Sequence, residues 1–113
     1  MNRRTTGNET EEAAVRYLRE QGYRIIERNY RCRLGEIDIV AEEGGYLVFA
    51  EVKYRRTAAY GLPEEAVDAK KAERIRRTAL WYMKEHRISP DTAIRFDVAA
   101  MDANGIRLYQ AAF

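Results

Sequence analysis

Three charged side chains lie within the two most apolar stretches of the chain. Asp38 falls inside the apolar residues 37–41, while Glu51 and Lys53 lie at the end of the apolar run that begins at residue 47. Burying an unpaired charge in a strand costs roughly several kcal/mol, so such residues usually hold a cation, act in catalysis or neutralise each other. Two carboxylates suit Mg²⁺ or Mn²⁺, and a neighbouring lysine can stabilise charge on a phosphate. The pattern therefore indicates metal-assisted phosphate chemistry, with a structural Glu51–Lys53 ion pair or a wet edge strand as the alternative.

The elements that position these residues follow from periodicity and turn signals. Gly44-Gly45 predicts a tight turn between two strands, and Asn104-Gly105 predicts a second hairpin. Thr6 and Glu9 have the spacing of a capping box at the start of the first helix. The predicted helices cover residues 7–21 and 63–86, and the predicted strands cover 23–30, 35–42, 46–54, 94–100 and 106–110.

This order predicts a single α/β domain over residues 1–113, built on a mixed central β-sheet flanked by helices. The segment between the third and fourth strands has the length of a right-handed crossover. Side chains alternate along a strand, so Glu36 and Asp38 share one face, as do Glu51 and Lys53. The tight turn makes these strands neighbours, and we expect Asp38 to lie near Glu51.

The first helix offers a third acid. Glu11 shares the spacing of the apolar residues Ala14, Val15 and Leu18, so it is directed towards the sheet. An acid in the first turns of a helix also interacts favourably with the helix dipole. The pattern leaves a functional and a structural role for Glu11 equally open.

Basic residues cluster around the acidic ones. Residues 53–77 contain eight basic and four acidic residues, although the net charge of the chain is only +2. Such a cluster suits a phosphate backbone, with a solvated surface as the alternative. Along the second helix, a basic face with one aromatic residue also suits a phosphate backbone. The residues on that face are Lys70, Arg74, Arg77, Trp81 and Lys84.

Composition limits the class of protein. At 113 residues with 46% hydrophobic and 34% charged residues, the chain is expected to fold as one globular domain without disulfides. The single Cys32 and single His86 exclude a zinc cluster built on these residue types. No apolar run approaches the ~18 residues needed to span a membrane, and residues 1–10 lack the apolar core of a secretory signal. We therefore expect a cytoplasmic protein with no membrane partner.

The same residues carry a resemblance to a known family. The segments GEIDIVA and LVFAEVKYR resemble the core of the PD-(D/E)XK nucleases, and more narrowly the YraN family, whose fold is similar to that of archaeal Holliday junction resolvases. The resemblance extends to EEAAVRYLREQGYRIIERNYRCRLGEID, AYGLPEEAVDAKKAERIRR and RFDVAA, so it covers nearly the whole chain. It implies a restriction-endonuclease-like αβββαβ core.

The resemblance also implies roles for individual residues. Asp38, Glu51 and Glu11 become ligands of Mg²⁺ or Mn²⁺, Lys53 becomes the catalytic lysine, and Glu36 supports the site from just outside it. Thr10 stands where the family commonly has glycine, and Ala50 where it usually has valine; neither change removes a charged ligand. The residues expected to bind nucleic acid are Arg31, Arg33, Arg55, Arg56, Lys70, Arg74 and Arg77.

The function implied is a metal-dependent endonuclease that cleaves DNA phosphodiester bonds. The chain has no room for a separate sequence-reading domain, so we expect selection of branched or junction DNA by shape rather than by base sequence. A homodimer would let two sites act on two strands, and the sequence leaves the oligomeric state open. The alternatives are an inactive nucleic-acid-binding module with the same fold, and a protein-interaction adaptor.

Overall fold

The computed structural model describes residues 3–54 and 67–113, with side chains from residue 9 onward in the first range. Its elements occur in the predicted order of helix, three strands, helix and two strands. They are α1 (Arg3–Glu20), β1 (Arg24–Cys32), β2 (Gly35–Glu43), β3 (Tyr46–Tyr54), α2 (Ala69–Glu85), β4 (Ile94–Asp102) and β5 (Gly105–Tyr109).

The five strands form one mixed sheet in the order β1-β2-β3-β4-β5. Neighbouring strands are antiparallel except for β3 and β4, which run parallel and are separated in sequence by α2. Parallel neighbours need such a crossover, because the chain must return to the same end of the sheet. The predicted α/β domain with a mixed sheet is confirmed, and β2 and β3 each have a strand on both sides.

The two helices cover opposite faces of the sheet. On β3, Leu47 and Phe49 belong to the apolar cluster that contains the buried residues of α2. Val48 and Ala50 belong to the cluster that contains Leu18 of α1. Burying one large apolar side chain contributes roughly 1.5–3 kcal/mol, so these two clusters supply most of the attraction between helices and sheet.

Both predicted hairpins are present. Gly44 and Gly45 have φ values of 59° and 86°, the left-handed backbone that a two-residue hairpin turn requires. The second turn consists of Ala103 and Asn104, and Gly105 is already the first residue of β5. That turn therefore lies one residue earlier than predicted.

The helix starts differ from the predictions. α1 begins at Arg3, so Thr6 lies within the helix and the predicted cap at Thr6 is wrong. α2 begins at Ala69, because Asp68 caps it by accepting the Lys71 backbone amide at 2.8 Å. The predicted start at Pro63 lies outside the described residues. Within the described part of the chain, no helix is both long and apolar enough to cross a bilayer.

A buried polar network fastens β4 to the start of β1. Asp97 is fully buried, accepts the Tyr23 hydroxyl at 2.6 Å and forms an ion pair with Arg95 at 2.9 Å. Arg95 also pairs with Glu43 at 2.7 Å, next to the β2–β3 turn. Burial and the hydrogen bond to Asp97 raise the pKa of Tyr23 to about 12. The network is fully paired, which explains how these charges are tolerated inside the fold.

Candidate active site

The side chains of β2 alternate between the two faces of the sheet, and this alternation is interrupted at Asp38. Ile37 packs in the cluster beneath α2, whereas Ile39 packs in the cluster beneath α1. Residues two apart in a regular strand share a face, so the pleat is interrupted between them. In β1, the residue between the two flanking ladder pairs is Asn29, whose φ of 54° is left-handed. The Asp38 carboxylate therefore lies at an irregularity of the sheet and is half-buried.

A hydrogen bond fixes Asp38 against the neighbouring strand. Its Oδ2 atom accepts the backbone amide of Val52 at 2.8 Å. The ladder between β2 and β3 ends at the pair Ile39 and Ala50, one residue before Asp38, and the Glu51 carboxyl is hydrogen-bonded to Asp38. The structure thus brings together the two carboxylates that the sequence singled out.

Glu51 is the more deeply buried of the two acids. Only 4% of its surface is exposed. Burial, the hydrogen bond to Asp38 and the negative charge of Asp38 together raise the pKa of Glu51 to about 9. The positive charges of Lys71 and Lys53 act in the opposite direction and are outweighed. At neutral pH the Glu51 carboxyl therefore keeps its proton unless a further cation approaches the pair.

The acid pair opens into a pocket of about 600 Å³. β2 and β3 contribute Asp38 and Glu51, and α2 contributes Lys71 and Arg74. The regular alternation of β3 sends Glu51 to the α2 face of the sheet, which is why the helix forms the opposite wall. The remaining lining residues are Arg31, Cys32, Gly35, Glu36, Val52 and Ile75.

Gly35 sets how closely α2 approaches the start of β2. A Cβ atom at Gly35 would lie 2.9 Å from the Thr78 hydroxyl and 3.1 Å from the Arg74 Cγ atom. Its φ of 155° also lies within the range that favours glycine. The absence of a side chain here lets Arg74 lie across the strand and border the pocket.

Glu11 occupies a different position from the acid pair. Its Oε1 atom accepts the Arg28 Nε at 3.1 Å and the Asn29 side-chain amide at 2.9 Å. It is not among the residues that line the pocket. Asn29 is the β1 residue that faces the irregularity at Asp38, so this hydrogen bond connects Glu11 to the irregularity. The role of Glu11 as a metal ligand stays a prediction.

The predicted basic residues differ in their position relative to the pocket. Arg31 and Arg74 line the pocket, and Arg31 Nε donates to Glu36 Oε2 at 3.0 Å across its rim. Arg33 is close by, with its guanidinium 5.5 Å from the centroid of the Trp81 ring. Outside the pocket lining, Lys70 is exposed on α2 and Arg77 pairs with Glu73. Arg55 and Arg56 lie outside the described residues.

Lys71 is the pocket residue that the sequence interpretation missed. The basic face assigned to α2 ran through Lys70, one residue earlier, because Lys70 continues the spacing of Arg74. Lys71 instead shares the spacing of Ile75 and Thr78, which are buried against the sheet. A lysine in register with a buried helix face is the signal that would have identified it.

Two carboxyl groups in the pocket could serve as ligands of a hard divalent cation. Among the described residues, no group of three acidic, histidine or cysteine side chains converges on one point. Asp38 and Glu51 supply two carboxyls, and Mg²⁺ commonly binds through one or two carboxylates, with water and substrate phosphates completing its shell. A bound cation would also lower the pKa of Glu51, which burial and the neighbouring Asp38 raise. Asp38 and Glu51 therefore fit Mg²⁺ or Mn²⁺.

Comparison with known proteins identifies the family. A sequence model of the uncharacterised protein family UPF0102 matches residues 10–101. The chain belongs to the UPF0102 family. The match includes Glu11, Asp38, Glu51 and Lys53. The resemblance to the YraN family is thereby confirmed, since UPF0102 is that family; membership of the PD-(D/E)XK superfamily stays a prediction.

Individual UPF0102 proteins are similar along most of their length. The one from Lachnoclostridium phytofermentans is 53% identical over 113 residues, which is 100% of this chain and 96% of the relative. The one from Persephonella marina is 45% identical over 107 residues, 95% of this chain and 91% of the relative. The one from Syntrophus aciditrophicus is 51% identical over 96 residues, 85% and 75% of the two chains. This chain therefore aligns with most of the length of each of these three relatives.

Proposed function

We propose that this protein is a Mg²⁺- or Mn²⁺-dependent endonuclease that hydrolyses phosphodiester bonds in DNA. The proposal includes a restriction-endonuclease-like core within the PD-(D/E)XK superfamily, and it places the activity in the cytoplasm. Asp38 and Glu51 hold the cation, Lys53 is the catalytic lysine, Glu11 is a further ligand and Glu36 supports the site.

The observation that carries the proposal is the carboxyl pair at the bottom of a cation-lined pocket. Asp38 is close enough to raise the pKa of Glu51, and Lys71 and Arg74 border the same space. Glu51 is almost fully buried, and burying an acid costs free energy that an apolar residue at the same position would not. The acids inside the pocket can bind a divalent cation, and the basic residues at its border can bind the phosphate that comes with it.

Hydrolysis joins a water oxygen to the phosphorus and releases a sugar oxygen, which takes up a proton. A divalent cation bound by Asp38 and Glu51 would acidify water and balance the charge that develops on the phosphate. The Val52 amide holds Asp38 in place, so the donor set is positioned before substrate binds. Lys53, two residues beyond Glu51 on the same strand, orients the attacking water or balances charge on the phosphate.

Branched or junction DNA is the substrate class we favour. Base-specific recognition requires side chains that reach base edges in a groove, whereas the cations that line the pocket, Arg31, Lys71 and Arg74, suit phosphates. Two copies bound to one junction would cut two strands, and sedimentation of the protein–DNA complex tests that arrangement.

The decisive experiment is a cleavage assay with increasing Mn²⁺ on labelled linear, flapped and four-way DNA. We expect faster cleavage of the branched substrates, and none in EDTA. Asp38→Asn, Glu51→Gln and Lys53→Ala are each expected to lower the rate by roughly 100-fold or more. Glu11→Gln tests the further ligand in the same assay.

Glu20→Gln is the matched control, because it makes the same chemical change on an exposed residue at the end of α1. It should cleave like the unmodified protein. Cleavage that survives in Glu51→Gln would exclude the proposed site, whereas equal loss in Glu20→Gln would point to a general effect of removing charge.

A second candidate is a nucleic-acid-binding module without cleavage. It is favoured by the burial of Glu51 beside Asp38, which raises the pKa of Glu51 and so opposes the ionised form that a cation needs. This candidate predicts salt-dependent DNA binding with no product at any Mn²⁺ concentration.

A further inference from the structure

The candidate pocket continues onto a surface made by two elements. Lys71 and Arg74 line the pocket from the first turns of α2. Further along the helix, Trp81 lies under the guanidinium of Arg33, which comes from the β1–β2 turn. We call these four residues, Arg33, Lys71, Arg74 and Trp81, the basic track.

We propose that the basic track binds the sugar-phosphate backbone of one nucleic-acid strand as it leaves the pocket. The proposal rests on the proposed function, because it takes the pocket to hold the phosphate that is cleaved. It adds the path that the nucleic-acid strand follows from the pocket along α2, and it names the residues that bind the strand, including Lys71.

The length of the basic track suits a short stretch of backbone. Lys71 and Trp81 are ten residues apart on α2, which corresponds to about 15 Å along the helix axis. One strand of a duplex advances about 3.4 Å per nucleotide along its axis, so the track spans roughly four nucleotides. A rigid helix keeps its cations at fixed intervals, as a regularly spaced row of phosphates requires.

Two cations of the track have no acidic partner in the part of the chain that the structure describes. Within residues 3–54 and 67–113, neither the Lys71 ammonium nor the Arg74 guanidinium forms an ion pair with an acidic side chain. By contrast, Arg31 on the same pocket wall is paired with Glu36. The Asp38 carboxylate adds negative charge inside the pocket, so a strand needs these cations to approach it.

Trp81 gives Arg33 a defined position. A guanidinium over an aromatic face gains about 0.5–1 kcal/mol at an exposed site, while its N–H groups stay available at the edge. Arginine held in this way can donate two parallel hydrogen bonds to one phosphate. The stacked pair thus forms the far end of the basic track.

The chain provides its own probe of this surface, since Trp81 is its only tryptophan. Single-stranded oligonucleotides of two, four, eight and twelve nucleotides are titrated in EDTA, and Trp81 emission is recorded together with the anisotropy of an end label. We expect emission and anisotropy to change in parallel. Affinity should rise steeply while added nucleotides still reach the basic track and more slowly once the track is filled.

Variants identify which cations bind the strand. Arg33→Ala, Lys71→Ala and Arg74→Ala should each weaken binding by roughly 3- to 10-fold at low salt, and each should reduce the slope of log affinity against log salt by about 0.7. Arg107→Ala removes the same charge from an exposed residue on β5, at the far edge of the sheet, and should bind like the unmodified protein. Thermal unfolding of each variant checks that it is folded.

The outcomes separate the track from the nuclease. Binding that depends on the three cations, with no Mn²⁺-dependent cleavage, upholds the track and overturns the nuclease. Cleavage by a protein whose binding is unaffected by the three substitutions overturns the track and leaves the nuclease standing. Unchanged Trp81 emission on saturation with DNA, or affinity for polyglutamate equal to that for DNA, also overturns the track.

Discussion

The Asp38 carboxylate accepts the backbone amide of Val52 at 2.8 Å, so an acidic side chain occupies a place in the sheet that a carbonyl oxygen would otherwise fill. Asp38→Asn keeps an oxygen that can accept this amide, whereas Asp38→Ala leaves the amide without a partner. We expect Asp38→Ala to lower the free energy of unfolding by about 1–3 kcal/mol relative to Asp38→Asn. Urea unfolding of both variants measures the difference, and equal stability would mean that the hydrogen bond does not position Asp38.

Stability should depend on pH through Glu51. Its pKa is about 9 in the folded protein and 4.5 without the environment of the fold, so between these values the folded state holds a proton that the unfolded state has lost. This stabilising contribution is complete below pH 4.5 and is lost as the pH rises towards 9, by at most about 1.4 kcal/mol per pH unit. Urea unfolding from pH 5 to 9 should show the decline.

Glu51→Gln should flatten that decline, because the amide does not titrate. Glu20→Gln, which changes an exposed acid, should keep it. If Glu51→Gln and the unmodified protein lose stability in parallel, another group causes the dependence on pH.

Divalent cations should stabilise the fold through the same pair of acids. At a Mn²⁺ concentration 100 times the dissociation constant, the free energy of unfolding should rise by about 2.7 kcal/mol. The rise at a fixed Mn²⁺ concentration should be larger at pH 8.5 than at pH 6.5, because the cation must displace a proton from the pair. Differential scanning calorimetry measures the shift, and EDTA should reverse it.

Asp38→Asn should abolish this effect, while Asp91→Asn, which changes an exposed acid before β4, should not. The absence of any shift at millimolar Mn²⁺ would count against a metal site in this pocket.

Gly35→Ala should destabilise the protein by about 1–3 kcal/mol, since the new Cβ would lie 2.9 Å from the Thr78 hydroxyl. Gly22→Ala is the matched control: its φ is 94°, but no atom lies within 4 Å of the added Cβ, so it reports backbone strain alone. Adding Thr78→Ala to Gly35→Ala should restore part of the loss. Thermal unfolding compares the variants, and equal effects at Gly22 and Gly35 would refute the close approach of α2.

The sequence predicted the sheet well because its signals are local. Glycine pairs and alternating apolar residues determine the β2–β3 hairpin, and that hairpin alone brings Asp38 near Glu51. Asp68 is also a local signal, since it caps α2 by accepting the Lys71 amide three residues later, but the prediction began this helix at Pro63, outside the described residues.

Other features depend on contacts between distant segments and could not be predicted. The approach of Thr78 to Gly35 and the hydrogen bond from the Tyr23 hydroxyl to Asp97 join elements with no shared local pattern. The contact of Glu11 with Asn29 depends on a left-handed residue within a strand, which strand periodicity does not indicate.

The reversal of β2 at Asp38 links the candidate site to folding. If the strand were straightened, Ile37 and Ile39 would project to the same side, and one of the two helices would lose an apolar partner that it now covers. The kink that presents the carboxylate is therefore maintained by both hydrophobic cores at once. Substitutions that improve the regularity of this strand should be selected against even in descendants that no longer need the acid.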